Sequence, residues 1–423
     1  MIDFSEILPI ARRVVGAAVA GSPPRAVTLI RDLKGRIAVF IEFDGDPDST
    51  LTAKLEADLT AALGAFWSGR LWLDHPRATS VVRSFGAMVR RESTAMDAVG
   101  GAEPFTWNLV DRTYSKRGWI ERRAPPWPMP NRNPAIVSFY SFKGGVGRST
   151  ALAASAMILA RAGKKVVVVD LDLEAPGVFT LLDPASNVDE GIVDYLVHKA
   201  VDDEEYRLEL CERKITDAAL IGETGTPIVV LPAGRIDSGY IDKIARVDIN
   251  GDEAFTGLES LLKEIKRAHS PDFIFLDVRA GLHDIGGLSL NALSHLNLLF
   301  CLDTPQSWKG LYPVLEILSK SKDRELLLVH AMATPQRIDP KAHENFRDKA
   351  FGAFRDHYFA EEEDMPDVGD DSAPYGVPLY EEESLSNLAS LVVPGARESL
   401  LSAGSPYRIL VRKIGERLER ATE

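Results

Sequence analysis

The sequence predicts an α/β protein, with a mostly parallel, doubly wound sheet preceded by a small α+β domain. Short apolar runs rich in Val, Ile, Leu and Phe recur after residue 134, and helical stretches separate most of them. Near-continuous apolar strands that alternate with helices indicate a parallel sheet covered on both faces. Before that point the pattern is mixed, and a stretch with five prolines, residues 125–134, divides the two parts.

Composition excludes several classes of protein. The chain has 423 residues, which suits two domains, and its net charge of −13 argues against wholesale nucleic-acid binding. No apolar run approaches the ~20 residues that span a bilayer. Two cysteines, Cys211 and Cys301, lie far apart without a CxxC motif, which excludes a disulfide framework and argues against a cysteine-ligated cluster. We therefore expect a cytoplasmic protein in a reducing environment.

Residues 1–122 are predicted to form the small α+β domain. Two segments have helical periodicity, and two others flank a glycine turn and predict a hairpin: residues 3–20 and 50–67, and residues 26–32 and 36–44. The segments at 79–92 and 106–123 fit either a helix or a strand. We find no constellation of catalytic residues here, so the role of this domain stays open, and its tryptophans are interpreted as core or interface residues.

A proline-rich linker, residues 123–134, is predicted to lead into the second domain, residues 135–423. Proline fixes φ and lacks a backbone N–H, so such a stretch is extended, semi-rigid and unable to join a helix or a central strand. The same prolines would also suit a stiff loop inside one domain.

Residues 135–150, AIVSFYSFKGGVGRST, have the order strand, glycine-rich turn and helix. The three glycines let the backbone turn tightly and aim its N–H groups at phosphate oxygens, and the start of the helix adds free N–H donors and partial positive charge. Ser149 is placed to bind Mg²⁺. The turn predicts a nucleotide-phosphate site, although Arg148 stands where such loops usually carry lysine.

Carboxylates follow two of the predicted strands. Asp170 and Asp172 close the run VVVVDLD, and Asp277 closes FIFLD. Ligands of parallel sheets bind at the carboxyl ends of the strands, where these side chains fall. Carboxylate oxygens are the ligands that Mg²⁺ prefers, so the sequence predicts a magnesium site beside the glycine turn.

At this point the chain resembles a known family. KGGVGRST is similar to the deviant phosphate loop (deviant Walker A motif) of the ParA/MinD-like P-loop ATPases of the SIMIBI class, and most to a subgroup with KGGVGR in place of KGGVGK. The resemblance covers roughly residues 135–420. It implies an ATPase that binds ATP and Mg²⁺ and forms an ATP-dependent homodimer. In that family the early lysine, matched by Lys143, reaches across the dimer to the partner's nucleotide, as an arginine finger does.

The resemblance also implies roles at the rim of the sheet. Asp172 would position the attacking water, Asp170 would support the magnesium shell, and Asp277 with Ser149 would hold Mg²⁺. The N–H of Gly281 would meet the γ-phosphate. The nucleotide-binding set implied in this way is Lys143, Gly144, Gly145, Val146, Gly147, Arg148, Ser149, Thr150 and Gly281.

Arg148 departs from the family pattern. Arginine keeps the positive charge and can bind phosphate through two N–H groups, but it is bulkier and planar. We expect Arg148 to take over the phosphate contact of the missing lysine and to act in catalysis with Lys143 and Asp172, while the rate of hydrolysis stays open. A degenerate loop that binds no nucleotide is the alternative.

The resemblance favours an ATP-driven switch that dimerises around Mg-ATP and signals to an unknown protein partner through the N-terminal domain, in a multi-gene system such as bacterial defence. The alternatives are a DNA- or membrane-positioning ATPase and a non-hydrolysing nucleotide sensor. The positioning role would use the last helix, whose predicted apolar face is Ile409, Leu410, Ile414 and Leu418, opposite a basic side. A final helix packed on the sheet is the simpler interpretation of that segment, and the acidic net charge argues against DNA.

Overall fold

The computed structural model describes residues 2–96, 104–113, 115–129, 133–201, 207–247, 252–321, 324–360, 365–381, 385 and 391–420. The chain divides into two compact units, which we call unit 1 (Met1–Tyr114) and unit 2 (Ser115–Glu423). Each unit has a sheet and a hydrophobic core of its own.

Unit 1 is built on a five-stranded sheet with the order β3-β2-β1-β5-β4. The strands are β1 (Ala26–Arg31), β2 (Ile37–Glu42), β3 (Trp67–Asp74), β4 (Thr94–Ala95) and β5 (Thr106–Asp111), and the helices are α1 (Ile7–Val19), α2 (Leu51–Leu63) and α3 (Ser80–Glu92). β1 and β2 pair antiparallel, so the predicted hairpin is confirmed. β5 and β3 then add parallel to β1 and β2.

Helical spacing explains the core of unit 1. The leucines of α2 recur every fourth position and are all buried: Leu51, Leu55, Leu59 and Leu63. That stripe and the buried face of α1 join the inward residues of β1 and β2 in one cluster. The two segments that the sequence left undecided differ from each other, because residues 80–92 form α3 whereas residues 106–111 form β5.

Unit 2 contains an eight-stranded sheet with the order β13-β12-β11-β6-β10-β7-β9-β8. Its strands are β6 (Ala135–Ser141), β7 (Val166–Leu171), β8 (Arg213–Ile215), β9 (Ile228–Leu231), β10 (Phe273–Val278), β11 (Leu296–Cys301), β12 (Glu325–Ala333) and β13 (Val377–Tyr380). Every neighbouring pair is parallel except β8 on β9. The predicted mostly parallel sheet is confirmed.

Helices cover both faces of this sheet. They are α4 (Arg117–Ile120), α5 (Arg148–Arg161), α6 (Val178–Leu182), α7 (Ile192–Val201), α8 (Ala218–Ile221), α9 (Ser238–Ile244), α10 (Asp252–His269), α11 (Asp284–Leu288), α12 (Pro305–Leu318), α13 (Ala342–His357), α14 (Pro394–Leu401) and α15 (Pro406–Arg420). Alternate residues of β6 enter different cores, because Ile136 and Tyr140 belong to one buried cluster and Val137 and Phe139 to the other.

The proline-rich stretch packs within unit 2. The sequence predicts a linker from residue 123, whereas the structure groups all residues from Ser115 onward with unit 2. Trp127 is buried and donates its indole N–H to the carbonyl of Pro134 at 2.9 Å. His295 contacts the Trp127 carbonyl through Nε2 at 2.8 Å. A buried tryptophan anchors this stretch to the unit, which a proline count does not reveal.

The last helix, α15, is also part of unit 2. Three of its four predicted apolar residues are buried, namely Leu410, Ile414 and Leu418. Ile409, predicted on the same face, is 41% exposed. The predicted basic side is partly buried as well, because Lys413 pairs with Asp371 at 2.9 Å and Arg417 with Glu325 at 3.2 Å. Most of the apolar face of the helix is therefore buried in the core of unit 2.

Among the residues that the structure describes, no helix combines the length and the apolar character needed to cross a bilayer.

Candidate functional site

The glycine turn lies between the end of β6 and the start of α5. Gly145 and Gly147 have φ of 73° and 78°, the left-handed region that favours glycine, although a Cβ on either would meet open space. Backbone conformation, rather than crowding, therefore requires these two glycines. The Gly147 carbonyl accepts the N–H of Ala151 at 2.9 Å and so begins α5. The turn is thus built at a helix N-terminus, where N–H groups are available to an anion.

Phe142 occupies the position that usually carries the first glycine of a phosphate loop. Its ring packs on α12 at Gly310, where a Cβ would come within 2.1 Å of the Phe142 ring. The missing side chain at Gly310 makes room for the aromatic ring. A phenylalanine in place of the usual glycine is therefore accommodated by a residue on a different helix, which no local sequence pattern could have shown.

Asp170 and Asp277 lie side by side at the carboxyl ends of neighbouring strands, as the parallel pairing of β7 with β10 requires. Asp170 is buried and accepts the backbone N–H groups of Asp172 at 3.2 Å and Gly177 at 3.1 Å. Burial raises the pKa of Asp170 well above its ordinary value, and the charges of Asp277 and Asp172 raise it further. In the structure this carboxyl holds the loop after β7.

The Arg148 side chain turns toward these carboxylates. Its Nε donates to Asp277 at 2.9 Å, its Nη2 to Asp172 at 3.0 Å, and its Nη1 to the Ser141 hydroxyl at 3.3 Å. Burial lowers the pKa of the guanidinium, but the charges of Asp277 and Asp172 outweigh it and raise that pKa overall. The sequence predicts a phosphate contact for Arg148, whereas here its donors serve the carboxylates expected to hold Mg²⁺ and water.

A chain of ion pairs continues from Asp172 along the rim. Arg279 donates to Asp172 at 3.3 Å and pairs with Glu174 at 2.8 Å. His283 contacts the other oxygen of Glu174 through Nε2 at 2.8 Å. Glu174 is not among the site residues that the sequence predicts. Its position two residues after Asp172, on the same rim, was the available signal.

Gly281 has a φ of 80°, which agrees with the choice of glycine at this position. Its N–H donates to the Ser141 carbonyl at 3.0 Å, and its own carbonyl accepts the Tyr140 hydroxyl at 3.1 Å. The N–H that the resemblance assigns to a γ-phosphate is thus bonded to β6 in this structure. Burial raises the pKa of Tyr140, which keeps the hydroxyl a donor.

The oxygen donors expected for Mg²⁺ fit that ion. Burial raises the pKa of Asp277, and the Arg148 charge and the nearby Ser149 hydroxyl oppose that rise, so a hydroxyl and a carboxyl group lie close together at the start of α5. No group of three or more His, Cys, Asp or Glu side chains in the described part of the chain could hold a metal ion. Mg²⁺ does not need one, because it is commonly bound through one or two carboxylates together with phosphate oxygens and water.

The other residues of the turn differ in exposure. Lys143, Gly144 and Gly145 are exposed, Val146 is buried in the core, and Thr150 is half-buried. Within the described residues the Lys143 ammonium group has no hydrogen bond or ion pair. A lysine that projects outward from a phosphate loop is accessible to another molecule.

Part of the chain is similar to known proteins. Residues 134–325 match the family model AAA_31, described as an AAA domain. The septum site-determining protein MinD of Synechocystis sp. is 30% identical over 148 residues, which are 35% of this chain and 46% of that protein. The chain therefore spans less than half the length of this curated relative.

Two solved structures match this chain at low sequence identity. MinD of Pyrococcus horikoshii OT3, complexed with Mg-ADP, is 20% identical with a TM-score of 0.45 and covers 68% of this chain and 96% of its own. The pNOB8 ParA protein is 15% identical with a TM-score of 0.45 and covers 68% of this chain and 99% of its own. Residues 134–325 are therefore similar to an AAA-domain family model, and 148 residues of the chain are similar to MinD.

Proposed function

We propose that this protein is an ATP-binding switch that hydrolyses ATP slowly, dimerises around Mg-ATP and signals to a protein partner. One observation carries the proposal. A glycine turn at the start of α5 faces the carboxylates of two neighbouring strands, and a lysine of the same turn projects outward. At this rim the turn can bind phosphate, the carboxylates can bind a metal ion, and the lysine can contact a second chain.

Each group has a defined task in this proposal. The N–H groups of the turn and of the first residues of α5 bind the phosphates. Ser149 and Asp277 hold Mg²⁺, which would neutralise developing charge on the phosphates. Asp172, 8% exposed, orients the attacking water. Asp170 keeps the Asp172 backbone in place through its accepted hydrogen bond.

Arg148 is the reason for expecting slow hydrolysis. Its guanidinium binds Asp277 and Asp172 at once, so turning it toward a phosphate would break at least one of these ion pairs. Breaking a buried ion pair costs energy, because the remaining charge loses its partner in a medium of low dielectric constant. The ion pairs also favour a second candidate, a nucleotide sensor that binds ATP and does not hydrolyse it.

The dimer is proposed from the exposure of Lys143. In the resemblance this lysine reaches the nucleotide of the partner chain, and an exposed ammonium group is suited to that task. The DNA- or membrane-positioning role is less well supported, because α15 buries its apolar face within unit 2.

Unit 1 is the proposed site of partner binding. It has a core of its own, and its helix α3 presents apolar residues to solvent, with Val81 75% exposed and Met88 39% exposed. Exposed apolar side chains on one helix are a common feature of protein-protein contacts. The proposed partner belongs to a multi-gene system such as bacterial defence.

The experiment is phosphate release from Mg-ATP as a function of protein concentration. Specific activity that rises with concentration supports a site completed by a second chain. Constant but measurable turnover supports an ATPase and contradicts the role of Lys143 across a dimer. Tight ATP binding without phosphate release supports the sensor, and absence of both binding and release contradicts the proposal.

A further inference from the structure

A short segment of unit 2 is fastened to the chain that follows Asp277. We call residues 115–121, which include α4, the strap, and residues 279–283 the β10–α11 loop. Trp119 is 5% exposed and donates its indole N–H to the His283 carbonyl at 2.7 Å. Lys116 donates its backbone N–H to Asp284 at the start of α11, and its Nζ reaches the same carboxylate at 3.1 Å.

The strap and α11 touch backbone to backbone. A Cβ on Gly118 would lie 2.6 Å from the Leu288 nitrogen, and one on Gly287 would lie 2.5 Å from the Trp119 ring. Both positions therefore exclude any side chain larger than hydrogen. Lys116 has a φ of 71°, which is uncommon for a residue other than glycine and is held here by Asp284. So close a contact transmits a shift of one segment to the other.

The opposite side of the β10–α11 loop faces the nucleotide site. Tyr140 donates to the Gly281 carbonyl, and its ring lies edge-on to Trp119 with centroids 5.8 Å apart. Arg279 is bound to Asp172 at 3.3 Å. The position of this loop is thus determined by the site on one side and by the strap on the other.

We propose that Trp119 and Lys116 are positioning residues for nucleotide turnover. They hold the β10–α11 loop so that Gly281 stays bonded to Ser141 and Arg279 stays bonded to Asp172, beside the proposed phosphate site. This inference rests on the function proposed above. Because unit 1 ends at residue 114 and the strap begins at residue 115, the same contacts also connect the site to the point where unit 1 joins the chain.

The test compares two buried tryptophans. Trp119→Phe keeps the ring packing and removes the bond to His283. Trp127→Phe is the matched control, because Trp127 is 6% exposed and donates to a carbonyl, that of Pro134, outside the loop. The first measurement is amide hydrogen exchange at residues 280–283 in the full chain without nucleotide. We expect faster exchange there in Trp119→Phe and wild-type exchange in Trp127→Phe.

The second measurement separates positioning from binding. We expect phosphate release by Trp119→Phe to fall roughly three- to tenfold, as loss of one hydrogen bond allows, with the ADP dissociation constant within about twofold of wild type. The glycine turn, which is the proposed binding site for the phosphates of ADP, keeps its sequence and its own contacts in this variant. Lys116→Met, which keeps the length of the side chain and removes its charge, should give the same separation.

Equal exchange and equal turnover in Trp119→Phe and Trp127→Phe would overturn the inference. Parallel losses of turnover and ADP affinity in Trp119→Phe would also do so, because they indicate a general structural defect. If wild type binds neither ATP nor ADP, the proposed function fails, and so does turnover positioning. If wild type binds nucleotide but amide exchange at residues 280–283 is the same in Trp119→Phe as in wild type, only the positioning role of the strap is refuted.

Discussion

Among single residues, Arg148 keeps the positive charge of the usual lysine but binds carboxylates instead of the expected phosphate. An ammonium group in the same place would be a point charge, whereas the guanidinium presents donors in several directions. It therefore binds Asp277, Asp172 and Ser141 together. The result is a cation shared between two carboxylates at the place where the resemblance implies a phosphate ligand.

Arg148→Ala should destabilise the protein in the absence of nucleotide. It would leave Asp277, 1% exposed, without its Arg148 partner, while Asp172, 8% exposed, would keep only its weaker bond to Arg279. The expected loss in free energy of unfolding is about 3–5 kcal/mol. Urea denaturation at neutral pH measures this loss. Arg148→Lys is the control, since it keeps the charge but forms fewer bonds and should lose less. Unchanged stability of Arg148→Ala would show that the ion pairs contribute nothing to the fold.

Among the secondary-structure elements, the position of the glycine turn depends on α12, a helix that is distant in sequence. Phe142 precedes Lys143 and rests on Gly310 of α12, so the packing of that helix helps to determine where the turn begins. The strap acts on the β10–α11 loop in the same way. In both cases a missing side chain on one element makes room for an aromatic ring on another.

Gly310→Ala should destabilise unit 2, because the added methyl group would lie 2.1 Å from the Phe142 ring. Overpacking of this kind costs about 1–3 kcal/mol. Gly352→Ala on α13 is the matched control, since a Cβ there meets nothing within 4 Å and alanine should stabilise that helix by about 0.5–1 kcal/mol. Thermal denaturation of both variants measures this difference, and similar changes in Tm for the two variants would refute the contact between Gly310 and Phe142. Adding Phe142→Leu to Gly310→Ala should recover part of the loss.

At the scale of the whole molecule, the proposed switch needs two chains. Lys143 and Asp172 belong to one site in the proposal, but they would come from different chains. A chain that lacks Lys143 and a chain that lacks Asp172 carry different defects. Together they form one intact site and one site with both defects.

Mixing inactive Lys143→Ala with inactive Asp172→Asn should therefore restore phosphate release. If chains pair at random, half of the dimers are mixed and half of their sites are intact, so the expected rate is about a quarter of wild type. Each variant alone at the same total concentration is the control. A mixture no more active than the two variants alone would contradict the shared site.

The α/β class, the mostly parallel sheet of unit 2 and the rim with the candidate site could be predicted from the sequence alone. Apolar runs that alternate with helices predict parallel strands, and the carboxyl ends of parallel strands meet at one edge. For that reason Asp170 and Asp277 could be placed together before any coordinates were known. The hairpin of unit 1 followed from local turn chemistry in the same way.

The partners of these side chains, in contrast, are visible only once the elements have packed together. The direction of Arg148, the bond from Gly281 to Ser141, the role of Glu174 and the packing of Phe142 and Trp119 all depend on residues far away in the chain. Sequence periodicity reports which face of an element is apolar, but it carries no information on which distant group lies opposite. Those contacts are formed when elements pack, and the chemistry proposed for this site depends on them.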